Sequence, residues 1–387
     1  MGKYSKISEN LTGQKMFQVL AQAKDLEKKG KNVIHFEIGD PDFNTPQSIK
    51  DAACDAIQNN HTHYTISQGL EEFRNQAAIN TNLSRGFLPS INQILVTPGA
   101  NIQIYLAMLA IADPGDEIII TDPCFVSYNS IIDLCNLVPV KVKLREENDF
   151  ILSPDDLEKK ITKKTKLIVI NSPNNPTGSV IPKKIMKDIY DIADKYNIFI
   201  LSDEVYGRMI YNKTDFSSPS SIDKCQKRVI VAHSFSKSYS MTGWRIGAVM
   251  GPIELVRRMT LILETITSCV SPFTQLGAIE AMQGSQSEIN RMIDILKNRR
   301  DILVKGLNTI KGISCINPGG AFYVFPNISG LNISDINFSK ILLTEKYVAT
   351  CPGSFFGSQG TNNVRMCFAV SEEKIITGLE RIKALFN

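Results

Sequence analysis

At 387 residues, 43% of them hydrophobic, the chain is long enough to bury a large core divided over two domains. Its formal charge of +4 is small for that length and its Lys and Arg residues are scattered, so nucleic-acid binding has no support. No apolar run approaches the roughly 20 residues of a membrane helix. The start, Met1-Gly2-Lys3-Tyr4-Ser5-Lys6, has no signal-peptide apolar core, and Lys6 breaks the myristoylation pattern.

Residues Gln14 to Lys29 carry Phe17, Leu20, Ala21 and Leu26 at helical spacing, closed by Gly30. Val33 to Ile38 alternates like a strand and runs into Gly39-Asp40-Pro41-Asp42-Phe43, where the glycine permits a close backbone approach or merely a turn. Pro46 opens a helix to about Gln58, and the loop His63 to Gly69 leads into another. From Gln93 onward strand and helix alternate. Ile94-Leu95-Val96 is followed by the turn Thr97 to Asn101 and a helix to about Ala112; Glu117 to Ile120 is followed by Asp122-Pro123 and a helix. Val138 to Val142 precedes a helix capped by the Ser153 hydroxyl. Leu167 to Ile170 ends in Asn171 to Gly178, and a helix from Lys183 to Tyr196 leads to Ile198 to Leu201 and then Ser202-Asp203-Glu204-Val205-Tyr206. Val229 to Ala232 ends in His233-Ser234-Phe235-Ser236-Lys237. The densest basic run, Ile161 to Lys166, falls where a helix is expected to end, which favours helix-dipole contacts over a polyanion surface.

Strands too apolar to have a wet face, alternating with helices, predict an α/β domain with a mostly parallel central sheet between helices. A helical region follows from Glu254 to Ile310, broken near Ser271-Pro272; after it, short strands and helices mix around 322–325, 338–343 and 364–370, with a last helix from Ser371. This change predicts a second, smaller α+β domain that strand 33–38 could join. The expected division is 46–290 for the large domain and 1–45 with 291–387 for a discontinuous small one. Eight cysteines lie far apart without a Cys-x-x-Cys pair, and four histidines show no ligand spacing. No metal site is expected, and most of the cysteines read as small buried residues of a reducing cytoplasm.

In parallel sheets, ligands bind outside the carboxyl ends of the strands. The polar segments after strands 94–96, 167–170, 198–201 and 229–232 should therefore gather at one place. Lys237 would bring an amine suited to an aldehyde cofactor, and Asp203 a carboxylate suited to a ring nitrogen. Tyr206 and Asn175 offer donors to a ring oxygen. Ala100 and Asn101 at a helix N-terminus, with Ser234, Ser236 and Arg245, form a phosphate seat, and Phe125 could lie flat on a ring. Singly, each has an ordinary alternative: a surface loop around Lys237, a turn at Asn175, a cap at Asp203, core for Phe125. Their joint occurrence in this order is what argues for a site.

Ser234-x-Ser236-Lys237 with Gly243-x-Arg245-x-Gly247, Asn174-Asn175-Pro176-Thr177-Gly178, Asp203-Glu204-Val205-Tyr206, Gly39 to Phe43, Tyr64 with Gly69, and Val364-Arg365 resemble, over essentially the whole chain, the fold-type I pyridoxal-phosphate enzymes of the class I/II aminotransferase family, the aspartate aminotransferase relatives. The resemblance implies the PLP-dependent transferase fold and transamination between an L-amino acid and a 2-oxo acid. It implies Lys237 as Schiff-base lysine and proton carrier, and Asp203 as partner of the pyridinium. Tyr206 and Asn175 would lie at the ring oxygen and Phe125 on the ring, with Ala100, Asn101, Ser234, Ser236 and Arg245 at the phosphate. Tyr64 would reach the phosphate of the neighbouring subunit in a homodimer with shared sites. Arg365, helped by Gly39 and Asn175, would hold the substrate carboxylate. The same fold also serves β-lyases, decarboxylases, cyclopropane-forming synthases and amino-acid oxidases or cyclases, and a regulator would need a DNA-binding segment for which little chain precedes Gln14. The segment Leu261 to Ser271, which supplies a second cation in many dicarboxylate-specific relatives, has no Arg or Lys, and position 101 is Asn where another branch has lysine. Tyr4, Phe17, Ile38 and Tyr128 suggest a more apolar substrate pocket, with membership of the core as the alternative for each.

Overall fold

The computed structural model describes residues 4–386 apart from residues 12, 213 and 215; Met1-Gly2-Lys3 therefore lies outside the described residues. In chain order the elements are α1 Lys6–Asn10, α2 Met16–Lys28, β1 Ile34–His35, α3 Gln47–Gln58, α4 Glu71–Arg85, β2 Ile94–Thr97, α5 Ala100–Ile111, β3 Glu117–Asp122, α6 Ser127–Leu134 and β4 Val138–Lys143. They continue with α7 Pro154–Glu158, β5 Thr165–Asn171, α8 Lys183–Lys195, β6 Phe199–Asp203, α9 Ser220–Asp223, β7 Val229–Ser234, α10 Phe235–Ser238, β8 Gly247–Met250, α11 Ile253–Thr267, α12 Pro272–Gln283 and α13 Ser287–Leu307. The last are β9 Tyr323–Val324, α14 Asp335–Lys346, β10 Val348–Ala349, β11 Cys351–Pro352, β12 Val364–Cys367 and α15 Glu372–Phe386.

The seven-stranded sheet has the order β2-β8-β7-β6-β5-β3-β4. Strands β7, β6, β5, β3 and β4 are parallel, while β8 runs antiparallel to both β7 and β2. Two reversals leave β2 pointing the same way as β7. The carboxyl ends of all four strands anticipated to carry the site consequently emerge at one edge. The central strands are apolar because both faces are covered. Ile168, Ile170, Ile200, Val229 and Val231 pack under α8, and Leu167, Val169, Leu201, Ile230 and Ala232 under α5 and α11. Strand β4 departs from the expectation of uniformly dry strands. It is the sheet edge, and only Val142 is buried while Val138, Pro139, Lys141 and Lys143 are exposed. Lysines and a proline suit an edge because they discourage pairing with another strand.

Smaller strands form the remainder: β9, β12 and β11 pair antiparallel, and β1 pairs parallel with β10. The N-terminal strand thus joins the C-terminal part as expected, although its ladder covers Ile34 and His35 rather than 33–38. Residues 338–343 lie in helix α14, and the helical region after Glu254 breaks twice, at 268–271 and again at 284–286. The basic run 161–166 is not at a helix end. Helix α7 stops at Glu158, and the run forms the turn into β5 and that strand's first residues, so the expected helix-dipole contacts give way to an exposed turn. All eight cysteines are free. Among the described residues no helix is long and apolar enough to cross a membrane, and no cluster of potential metal ligands occurs.

Candidate active site

The ends of β2, β5, β6 and β7 open on a cavity of about 270 Å³. Asp203, the last residue of β6, is buried, and burial raises its carboxyl to about 6. Two donors oppose that rise: the Tyr128 hydroxyl donates to Oδ2 at 2.6 Å and the Val205 amide to Oδ1 at 3.3 Å. A carboxylate kept dry with two donors holding its orientation is a strong partner for a cation entering the cavity. At the end of β5, Asn171 accepts from the Asn175 amide at 2.7 Å and donates to the Asp203 carbonyl at 3.1 Å, which locks the Asn175 loop against β6.

Lys237 sits in α10, immediately after β7, with Nζ donating to the Gly39 carbonyl at 2.5 Å. Burial pushes the amine down to about 8; nearby Asp40 works the other way, and Arg365 and Arg245 add to the fall. Ser234 caps α10, accepting from the Ser236 amide at 3.2 Å, and the two hydroxyls lie 2.9 Å apart. Helix α5 begins after Gly99 with no side-chain cap bond, and its first residues, Ala100 and Asn101, line the cavity. Gly99 has φ +84°, and a Cβ there would lie 2.5 Å from Arg245 Nη2. Arg245 also adopts a left-handed φ of +53° and donates to the Thr242 carbonyl at 2.9 Å. An arginine, two hydroxyls and a helix N-terminus together make an anion seat.

The opposite wall comes from the small strands and α2. Arg365 on β12 is buried, donating from Nη1 to Asn175 Oδ1 at 3.1 Å and from Nη2 to the Glu37 carbonyl. The rings of Tyr323 and Phe356 face its guanidinium at 4.5 and 4.7 Å, and its Nε has no partner. No carboxylate forms an ion pair with it among the described residues. A buried arginine without a counter-ion is a receptor for one. Tyr206 meets the Tyr323 hydroxyl at 2.9 Å. Gly39 lies so close to Tyr323 that a Cβ would overlap its hydroxyl.

Gly39, Ala100, Asn101, Phe125, Asn175, Asp203, Tyr206, Ser234, Ser236, Lys237, Arg245 and Arg365 all line this one cavity. Phe125 also packs at 5.6 Å edge-on to Tyr128, so it serves cavity and core at once. Tyr64 does not reach the cavity of its own chain; it is 89% exposed. Phe17 and Ile38 are in the wall, but Tyr4 is exposed and Tyr128 is buried behind Asp203, so neither belongs to the apolar pocket expected of them. Asn171, Tyr323, Thr242, Gln14 and Met16 line the cavity without having been anticipated. Asn171 could have been found by the strand-end rule. Tyr323 hides within an aromatic run that reads as core.

The aminotransferase class I and II family matches residues 31–382. The chain belongs to that family. An aspartate aminotransferase from Pyrococcus horikoshii is 41% identical over 357 residues, covering 92% of this chain and 91% of the relative. An aromatic-amino-acid aminotransferase from Thermococcus litoralis is 36% identical, covering 94% of each chain. The solved structure of aspartate aminotransferase from Thermus thermophilus with maleate superposes with a TM-score of 0.95 at 30% identity over all of both chains. Class I and II aminotransferases depend on pyridoxal phosphate, and the protein is an enzyme of this amino-group-transferring family.

Proposed function

We propose that the protein binds pyridoxal phosphate in this cavity and exchanges an amino group between an L-amino acid and a 2-oxo acid. The observation that carries the reading is the meeting of a buried amine at Lys237 and a buried carboxylate at Asp203 in the wall of one cavity that also contains an anion seat. The donor set fits the cofactor. Lys237 would hold its aldehyde carbon, Asp203 its ring nitrogen, and Tyr206 and Asn175 its ring oxygen; Phe125 would cover the ring, and Ala100, Asn101, Ser234, Ser236 and Arg245 would hold the phosphate. When bound, the cofactor supplies a conjugated ring that accepts the electron pair left when the substrate Cα–H bond breaks. Arg365, aided by the Gly39 backbone, orients the amino acid through its α-carboxylate, and Lys237 Nζ carries the proton from Cα. Tyr64, exposed here, is assigned to the cavity of a second copy in a homodimer. We also propose that residues 46–290 form the cofactor-binding body and residues 1–45 with 291–387 a second body, so that Arg365 approaches Lys237 from across a domain boundary.

The α2 side of the cavity is Gln14, Met16, Phe17 and Ile38, without a cation. A second substrate carboxylate would be desolvated there without a partner. Amino acids with uncharged side chains are expected to exceed aspartate in kcat/KM by at least about tenfold. The test is a panel of L-amino acids with 2-oxoglutarate and cofactor, following 2-oxo acid formation. Formation of carbon dioxide or of an eliminated side chain, with no oxo acid exchange, would replace transamination by another reaction of the same cofactor; an aspartate preference would overturn the substrate reading alone.

Gly99→Ala tests the anion seat. The φ of +84° with ψ −176° is open to glycine and strained for other residues, and the added methyl meets Arg245. Affinity for the cofactor should fall by about 10- to 100-fold, measured by equilibrium dialysis, while backbone strain of about 1–3 kcal/mol lowers the melting temperature of the cofactor-free protein by only a few degrees.

A further inference from the structure

Beyond the cavity wall lies a histidine with a carboxylate at each ring nitrogen. His35 on β1 has Glu37 Oε1 at 2.7 Å from Nδ1 and Glu27 Oε1 at 3.1 Å from Nε2. A neutral imidazole carries one N–H and could satisfy only one of these oxygens. Two acceptors require two donors, which is the imidazolium. Glu37 is fully buried, and its Oε2 has no partner, so His35 is its counter-ion among the described residues. Glu27, on the outer side, also receives Lys24 at 2.9 Å.

The contacts close into a circuit. The Glu37 carbonyl accepts from Arg365 Nη2 and, at 3.4 Å, from the Cys351 thiol; two residues on, the Gly39 carbonyl accepts from Lys237. Glu27 belongs to α2, whose first residue, Met16, has its sulfur 4.0 Å from Arg365 Nη2. About 16 Å of helix separate those two ends of α2. Just before the helix, Gln14 bonds the Ser127 hydroxyl at 2.8 Å, and Gln14, Met16 and Phe17 line the cavity. His35 is thus the joint between α2, whose first residue touches Arg365, and the segment that leaves β1, whose Glu37 carbonyl accepts from Arg365.

We propose that His35, as an imidazolium, is a positioning residue that latches α2 to β1 and thereby fixes Arg365 and the α2 wall of the substrate cavity. This rests on the reading of Arg365 as the substrate-carboxylate clamp. The remaining charged or titratable groups around the latch are Lys24 on α2, Arg381 of α15, which bonds Asn32 and the carbonyls of Lys346 and Tyr347, and, on the Glu37 side, Arg365, Cys351 and Cys367. Strand β10 presents only Val348 and Ala349. The Glu37 bond raises the His35 pKa and outweighs burial, which lowers it; Glu27 adds to the rise. A raised histidine pKa means that the latch is complete below the ordinary imidazole range and is lost as pH climbs through the elevated value.

The test uses the cofactor-loaded enzyme. In His35→Gln, KM for both amino acid and 2-oxo acid should rise about fivefold while kcat changes by less than about twofold, because both substrates present an α-carboxylate to Arg365. The alkaline rise of KM in the parent should vanish in this variant. NMR titration should find the His35 imidazolium in the parent above the ordinary value of about 6.5 and nearer to it in Glu37→Gln. Amide exchange in α2 should accelerate by about tenfold in His35→Gln. If that variant folds poorly, Glu27→Gln, which opens only the outer half of the latch, should give the same changes at about twofold size. Unchanged KM in a folded variant, or a His35 that titrates at or below the ordinary value, overturns the proposal. Arg365→Lys separates the two readings: if it leaves KM unchanged, the clamp assignment fails, whereas the imidazole titration and α2 exchange still report on the latch itself.

Discussion

Lys237→Ala is expected to lower kcat by at least about 10⁴-fold and to remove the visible absorption of the cofactor-loaded protein. One nitrogen does two jobs, and alanine removes both. A positioned general base is worth about 10² to 10⁴ in rate, and loss of covalent attachment adds to it. Lys237→Arg should be about as inactive, because guanidinium keeps the positive charge but cannot release a proton in the working pH range. That control separates the need for an amine from the need for a cation. The pH dependence has a definite sign. Burial brings Lys237 down to about 8, and only the unprotonated amine can attack an aldehyde. Uptake of pyridoxal phosphate by cofactor-free protein, followed by absorbance in a stopped-flow instrument, should therefore slow about tenfold per pH unit below about 8 and level off above it. A visible band surviving in Lys237→Ala, or uptake independent of pH, would assign the aldehyde to another group.

The cavity was legible in the sequence because a physical rule connected distant residues. Strands such as Leu167 to Ile170 and Val229 to Ala232 are too apolar for any place but a covered sheet, and their polar successors must then share its carboxyl edge. Strand β8 is hard to read from the sequence because it is four residues long and opens on Gly247, inside the Gly243-x-Arg245-x-Gly247 motif. Antiparallel insertion of β8 did not matter to the site, since a second reversal restores the direction of β2. Tyr128 is ambiguous in the sequence because a tyrosine on an amphipathic helix reads equally as pocket wall or core; only the 2.6 Å bond to Asp203 distinguishes a third role, support of a buried carboxylate. The pair His35 and Glu37 stands two residues apart in a strand-like segment, which already puts both side chains on one face. Their partner Glu27 comes from the preceding helix, and no spacing in the sequence specifies how α2 folds back over β1. Local patterns disclose which strand ends meet. Which side chain stands behind another depends on tertiary packing.

Asp203→Asn is the second large effect, and it should push activity and stability in opposite directions. The carboxylate is buried, and burial raises its pKa to about 6. A carboxyl whose folded pKa lies above its unfolded value binds protons more tightly in the native state, so stability is lost as pH rises from the unfolded value toward the folded one. From the ordinary aspartate value of 3.8 to about 6, the cost of holding that charge reaches about 3 kcal/mol in neutral solution, as an order of magnitude. Asparagine removes the charge; its single oxygen accepts from the Val205 amide while its NH2 donates to the Tyr128 hydroxyl, which can act as acceptor as well as donor. The cofactor-free variant should therefore be more stable than the parent at about pH 8, by up to that amount in denaturant titration, and no more stable at about pH 4, where both side chains are neutral. Turnover should fall by about 10³-fold or more, because a neutral amide cannot keep a ring nitrogen protonated while negative charge develops on the ring. Such sites commonly sacrifice stability in order to hold a charge ready for a ligand. Equal stability of the two cofactor-free proteins at about pH 8 would mean that Asp203 is already relieved of its charge or hydrated in solution. Near-normal turnover in the variant would remove Asp203 from the electron-accepting step altogether.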